Sequence, residues 1–323
     1  LQEYTELLKE EILFWKFCQY KFYEQWKFLK QYANTRGIQI IGDIPLYMAM
    51  DSADVWADRK LFLLEEDGSQ QHVAGSPPDN FSEEGQKWGN PVYDYSYMEE
   101  HQFDWWRHRI EKNAALYDVI RIDHFLGVVR YYTIPFQEKD CCNGKWNKGP
   151  GKKLTDVMEE SAGDCRIIAD NAGSAIAGSR KLLARIGWPG SKILMFAFDG
   201  NTGNENLPHN FEENNIVVYT GTHDNDTVVG YFRDKTEYEL AYLYEYLNIG
   251  SKEEIPDALI RLAYSSIADV VIIPMQDILQ LGNEARMNQP STVGQNWKWR
   301  VGKDTLSEER RAWIRTIAAV YRR

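Results

Sequence analysis

YDVIRIDHF, residues 117–125, decides the reading: an apolar run of strand length, Val119, Ile120 and Ile122, ends in a carboxylate at Asp123. In an extended chain alternate side chains share a face, so Arg121 and Asp123 point the same way and the guanidinium can keep the aspartate ionised. The same grammar recurs. Residues 38–44 read IQIIGDI, with Asp43 near the far end and Pro45 as the stop. Residues 165–170 read CRIIAD, 192–200 read KILMFAFDG, 216–226 read IVVYTGTHDND and 268–277 read ADVVIIPMQD. Aspartate is also a turn former, but six apolar runs each delivering an acid at the C-terminal end make a pattern that turn chemistry does not require. Buried parallel strands with polar residues gathered at their C-terminal ends are what the active face of a barrel needs. The expected fold class is therefore α/β, a (β/α)8 TIM barrel with inserted loop subdomains. About six of the eight strands are legible, so the chain is expected to be N-terminally truncated, starting inside the barrel.

Working outward, Trp15, Cys18, Phe22, Trp26 and Leu29 recur at steps of three and four, which predicts one face of a helix ending near Gly37. A partial catalytic barrel domain is expected over 1–323, with an insertion at about 48–116. About 70 residues separate the first two strands, far more than an ordinary connection. Within them, VAGSPPDNFSEEGQKWGNPVYDY (73–95) combines stiffening prolines, turning glycines and the broad ring of Trp88, the make-up of a loop that lies over an active site.

The net charge of -11 disfavours nucleic acid or an anionic membrane as partner, since both would be repelled. A neutral or cationic substrate fits better, and 11 Trp with 19 Tyr offer platforms for the C–H faces of sugar rings. Cys18, Cys141, Cys142 and Cys165 show no C-x-x-C spacing, which predicts free thiols, no zinc and a reducing, cytoplasmic location. No apolar run reaches the length of about 18 residues expected of a membrane span.

Strand-end carboxylates suit glycosidic-bond chemistry, in which one acid protonates the leaving oxygen and one carboxylate attacks or stabilises the sugar cation. An ionised, oriented Asp123 is what a nucleophile requires. His223 and Asp224 place a donor and an acceptor side by side at another strand end, suited to gripping sugar hydroxyls.

These residues belong to longer blocks: GDIPLYMAMDSADVWAD (42–58), AGSPPDNFSEEGQKWGNPVYDY (74–95), RIDHFLG (121–127), YTGTHDNDT (219–227), PMQDILQLGNEARMNQP (274–290) and NWKWR (296–300). In order and spacing they resemble the 4-α-glucanotransferases of glycoside hydrolase family 77, the amylomaltases or disproportionating enzymes. That resemblance implies a retaining double displacement on α-1,4-glucans and maltooligosaccharides. Asp123 would be the nucleophile and Asp224 the transition-state stabiliser, with Arg121, His124 and His223 around the same sugar ring. Asp43 and Tyr47 match the substrate-facing end of the first strand, and Gln86, Trp88 and Asn90 the covering loop. Asp199 and Asn288 match further sugar contacts. No metal, nucleotide or flavin cofactor is implied.

One departure stands out. The family's acid/base is a Glu in a block close to I-A-E-D-L-G, whereas residues 168–173 here read IADNAG. Asp170 is one methylene shorter, and a displacement of about 1 Å can cost on the order of a hundredfold in rate. Asn171 also removes a negative charge beside the acid, which reduces the upward push on its pKa. The expected activity is 4-α-glucanotransferase with reduced turnover. The alternatives are a catalytically silent α-glucan-binding relative and an α-amylase-like hydrolase.

Overall fold

Short runs of β-branched residues between helices form the strands that carry the site. The computed structural model describes residues 2–78, 82–171, 177–290 and 292–323. Its strands are β1 (Ile41–Ile44), β2 (His72–Ser76), β3 (Gln86–Pro91), β4 (Val119–Ile122), β5 (Arg130–Pro135), β6 (Lys145–Lys148), β7 (Arg166–Ala169), β8 (Gly190–Ile193), β9 (Ile216–Tyr219) and β10 (Val270–Ile272). They assemble into a parallel sheet β1-β4-β7, a parallel sheet β10-β9-β8 and an antiparallel sheet β3-β2-β5-β6. The architecture is mixed α/β.

All four residues of β4 are buried, as a central parallel strand covered on both faces requires. Ile120 and Ile122 share a core with Trp106 and Ile110 of helix Asp104–Leu116 and with Leu154 and Met158 of helix Lys152–Ala162. The second sheet packs Val217 and Val218 against Leu240 and Leu243 of helix Glu237–Leu247 and Leu259 and Ala263 of helix Ile255–Ser265. These are apolar stripes at helical spacing, and each fully buried leucine contributes about 1.5–3 kcal/mol relative to exposure.

Several expectations change. The expected barrel strands form two separate three-stranded sheets rather than one continuous ladder. Between β7 and β8 the described residues supply an Ala169 N–H to the Pro189 carbonyl at 3.0 Å, the Ser191 hydroxyl to the Ala169 carbonyl at 3.2 Å and the Ser191 N–H to the Asn171 side chain at 2.6 Å, not a regular ladder. Pro189 has no N–H with which to continue a ladder. The strand expected over 192–200 is β8, two residues earlier. The apolar run after it tightens into a 3-10 turn, Leu194–Phe196, which buries Leu194 and Met195, with the Met195 N–H still donating to the Thr220 carbonyl at 3.1 Å just past β9. The last strand is only three residues long, and Asp277 lies beyond Pro274 in helix Met275–Ile278.

The sheet built on the expected insertion also draws on residues outside 48–116. β2 pairs with β3 within that span but also with β5, which pairs in turn with β6. The N-terminal helix forms over Lys9–Asn34, with Gly37 in the turn that follows at φ +72°. None of its residues is fully buried, and Trp15 and Phe22 are exposed. Its hold on the remainder includes the Trp26 indole N–H to the Leu116 carbonyl at 2.8 Å and the Lys30 ammonium to the Tyr117 carbonyl at 2.9 Å. Among the described residues no helix is long and apolar enough to cross a membrane.

Candidate active site

Strand register assembles the first half of the site. Asp43 on β1 lies opposite Arg121 on β4, so the two side chains meet on one face. The ladder runs one residue past each strand: the Asp123 N–H donates to the Ile44 carbonyl and the Asp170 N–H to the Ile122 carbonyl, both at 3.0 Å. Asp123 and Asp170 therefore project from neighbouring strand ends beside Arg121. The guanidinium is the hub. One terminal nitrogen lies 2.6 Å from Asp43 and 3.2 Å from Asp123, and the other 2.9 Å from Asp170. Burial alone would lower the pKa of Arg121, but the charges of Asp170, Asp43 and Asp123 overcome it and hold the guanidinium charged. The Asp170 carboxylate also accepts the His124 backbone N–H at 3.4 Å.

Asp123 is pushed up to about 7, by burial first and then by the Asp170 charge, against the pull of Arg121. Three acids on one cation cannot all be neutralised. His124 adopts a left-handed backbone at φ +50°, a strained conformation for a residue with a side chain. Burial lowers it to about 4, so the ring is neutral, and its Nε2 is buried without a hydrogen-bond partner.

The second half is a turn after β9. The Asn225 side-chain carbonyl accepts the Thr222 N–H at 2.8 Å and the Thr222 hydroxyl at 2.9 Å, and the Asp224 N–H donates back to that hydroxyl at 3.3 Å. This local side-chain bonding, typical of Thr and Asn at turns, sets His223 and Asp224 facing the guanidinium cluster. His223 Nε2 is 3.4 Å from Asp224, and Nδ1 is 3.8 Å from Asp43. The Asn288 amide donates to the Asp224 carboxylate at 2.6 Å. Burial would raise Asp224, yet His223, Asn288 and Arg121 together hold it below the usual carboxylate range. Burial would likewise lower His223, but the hydrogen bond and charge of Asp224, with Asp43, hold it above its ordinary value. A cavity of about 370 Å³ opens along this side, lined by Asp43, Arg121, Tyr219, His223, Arg286 and Trp297.

The antiparallel sheet supplies an aromatic wall. The Trp88 ring meets His124 edge-on at 4.8 Å and donates its indole N–H to the Gln86 side chain at 2.9 Å. The Asn90 amide donates to the Met48 carbonyl at 2.8 Å, tying the sheet to the segment after β1. Tyr47 stacks on Tyr93 at 5.7 Å, and its buried hydroxyl has no partner.

The remaining residues of the series are engaged differently. Asp199 lies in a loop, where it accepts the Asn201 N–H at 2.9 Å and the Asn204 amide at 3.0 Å. It lines a separate groove with Phe196, Phe198 and Tyr231. The Asn171 side chain accepts the Ser191 N–H at 2.6 Å and so faces β8; residues 172 and 173 of its block lie outside the described residues. Asp277, the last strand-end acid of the series, is fully buried and serves as a tie: it accepts the Thr220 hydroxyl at 2.6 Å and the Val228 N–H at 2.8 Å.

Sequence reasoning missed Arg286, Tyr219 and Trp297. Arg286 and Trp297 fall inside quoted blocks, but an Arg in a loop and an exposed Trp have no periodicity to mark them. Tyr219 is the last residue of β9, buried beside Arg121, and burial pushes its hydroxyl up to about 12.

With this geometry in view, the profile of the glycoside hydrolase family 77, described as 4-alpha-glucanotransferase, matches residues 1–305. This chain belongs to that family. It is 46% identical over its full length to a 4-alpha-glucanotransferase of Clostridium butyricum and 43% identical over 98% of its length to one of Thermus thermophilus. Among solved structures it is similar to the amylomaltase from Streptococcus agalactiae in complex with acarbose, with TM-score 0.94, 41% identity and all of this chain covered. The amylomaltase from Corynebacterium glutamicum shares the fold at TM-score 0.75 and 18% identity over 90% of the chain. The chain spans 66% of the Clostridium relative and 65% of the Thermus relative and of the Streptococcus structure.

Proposed function

We propose that this chain carries the catalytic centre of a 4-α-glucanotransferase, which moves segments of α-1,4-glucan between maltooligosaccharides by a retaining double displacement. The observation that carries the reading is the arrangement of Asp43, Asp123 and Asp170 around Arg121, faced by the His223–Asp224–Asn288 set. Asp123 attacks the anomeric carbon, and Arg121 orients its carboxylate. Asp170 stands at the acid/base position. Asp224, held ionised by His223 and Asn288, accepts hydrogen bonds from hydroxyls of the distorted ring, a contact that strengthens as the oxocarbenium-like state forms. The unpartnered Tyr47 hydroxyl and His124 Nε2 await polar groups that sugar hydroxyls can supply.

Gln86, Trp88 and Asn90 form the wall that covers the bound glucan, and the two parallel sheets form the arc of a (β/α)8 barrel that presents these groups. The acarbose complex of the Streptococcus agalactiae amylomaltase supports an α-glucan ligand. Four free thiols support a reducing, cytoplasmic setting. Product analysis after incubation with maltotriose tests the reading. Transfer gives glucose together with longer maltooligosaccharides, whereas shortening alone indicates hydrolysis and overturns it.

A further inference from the structure

Arg286 is a large cation lining the cavity that the scheme above leaves without a role. It lies in the segment before Asn288, and its three nitrogens are all engaged. Nε donates to the Asn288 carbonyl at 2.9 Å, Nη2 donates to the Asp224 backbone carbonyl at 2.7 Å, and Nη1 pairs with Asp226. The same two segments meet again where the Asn288 N–H donates to the His223 carbonyl at 3.0 Å and the Asn288 amide to the Asp224 carboxylate at 2.6 Å. A planar fork with fixed donor directions suits this task, because it can bond two carbonyls and a carboxylate from one position.

We propose that Arg286 is the positioning residue for the His223–Asp224 pair, clamping the 222–226 turn to the 286–288 segment so that Asp224 faces the sugar. The inference rests on the transferase reading for its kinetic consequence and on geometry alone for its structural one. Asp226 pairs with the guanidinium, and the other two bonds of Arg286 reach the backbone carbonyls of Asp224 and Asn288 rather than the Asp224 carboxylate. Arg286 therefore acts through placement rather than through its own charge on the carboxylate. The Asp224 backbone is fixed by one donor of the fork, and the Asp224 side chain is fixed through Asn288, whose own carbonyl is held by another.

The test is an Arg286→Met variant of the full chain, read in two ways. NMR titration of the His223 ring, which faces Asp224, Asp43 and Arg121, should show its pKa falling back toward the ordinary histidine value as Asp224 moves off. The rate of maltotriose transfer should fall about a hundredfold in kcat with little change in KM, the signature of a misplaced group. Arg286→Lys, which keeps the charge but not the fork, should fall between wild type and Arg286→Met in both readouts. If Arg286→Met folds poorly, Arg286→Lys decides, a His223 titration there equal to that of the wild type overturning the proposal. An unchanged His223 titration in Arg286→Met overturns the proposal. Absence of transfer in the wild-type protein overturns the transferase reading instead and leaves the His223 titration to decide the clamp.

Discussion

The Arg121 guanidinium lies 2.9 Å from the Asp170 carboxylate and 3.2 Å from Asp123, so one cation engages both the residue proposed as acid/base and the one proposed as nucleophile. An acid catalyst must reach the leaving oxygen, and a side chain bonded to a buried guanidinium is directed at that cation instead. With one methylene fewer than glutamate, Asp170 stays close to the strand end, where the His124 N–H also holds it.

Asp170→Glu should therefore raise maltotriose transfer by about a hundredfold, since a displacement near 1 Å costs about that much. The check is the steady-state rate of glucose release in both proteins. An equal or lower rate in the glutamate variant would sink the geometric account of position 170.

Arg121 is buried, and its removal leaves Asp43, Asp123 and Asp170 facing one another. Arg121→Met should destabilise the protein by about 3 kcal/mol, the low end for loss of one member of a buried ion cluster, because Asp43 and Asp123 are each about a third exposed. Urea unfolding at pH 8 and at pH 5 reads this directly: the deficit should shrink at the lower pH, where protonation relieves the repulsion.

Asp123 has its own pH signature. Its folded pKa of about 7 lies above the unfolded carboxylate value, so between the two the folded state holds a proton that the unfolded state has lost. Its cost to stability is absent below about pH 4 and grows until pH 7, above which it is complete. Asp123→Asn should raise the melting temperature at pH 8 and leave it nearly unchanged at pH 4, while abolishing transfer. A melting temperature lowered at pH 8 would contradict the placement of this carboxylate.

Asp277 tests the opposite case, an acid that serves the fold. Asp277→Ala leaves the Val228 N–H and the Thr220 hydroxyl without their buried acceptor and should cost about 2–3 kcal/mol, measured by chemical denaturation. The His223 titration should not move. A shifted His223 would show that Asp277 communicates with the site after all.

How far the sequence carried can be judged from these same residues. Alternation placed Arg121 and Asp123 on one face, and the recurring apolar-then-acid pattern found Asp43, Asp170 and Asp224 at the ends of their runs. The pattern could not distinguish Asp277 from the others, because a buried acid that caps a helix has the same local sequence as one that faces a substrate. It misplaced Asp199 because LMFAF is apolar enough for a strand, yet buries itself as a 3-10 turn. Strand β6 stayed hidden because its half-buried, charged segment Lys145–Lys148 carries little of the hydrophobic signal on which the reading depends. Pro189, which interrupts pairing between β7 and β8, was visible as a residue but not as a junction, since the partner strands are far apart in the chain.

The central claim is that Asp123 is the nucleophile, and an α-maltosyl fluoride donor tests it most directly. Fluoride departs without protonation, so the first step does not depend on Asp170, whereas release of the glycosyl group by an incoming hydroxyl does. Mass spectrometry of the quenched and digested protein should find a maltosyl adduct on Asp123, in the peptide that contains residues 119–125. An adduct on another carboxylate, or steady turnover of the donor with no adduct at Asp123 under the same quench, would contradict the account.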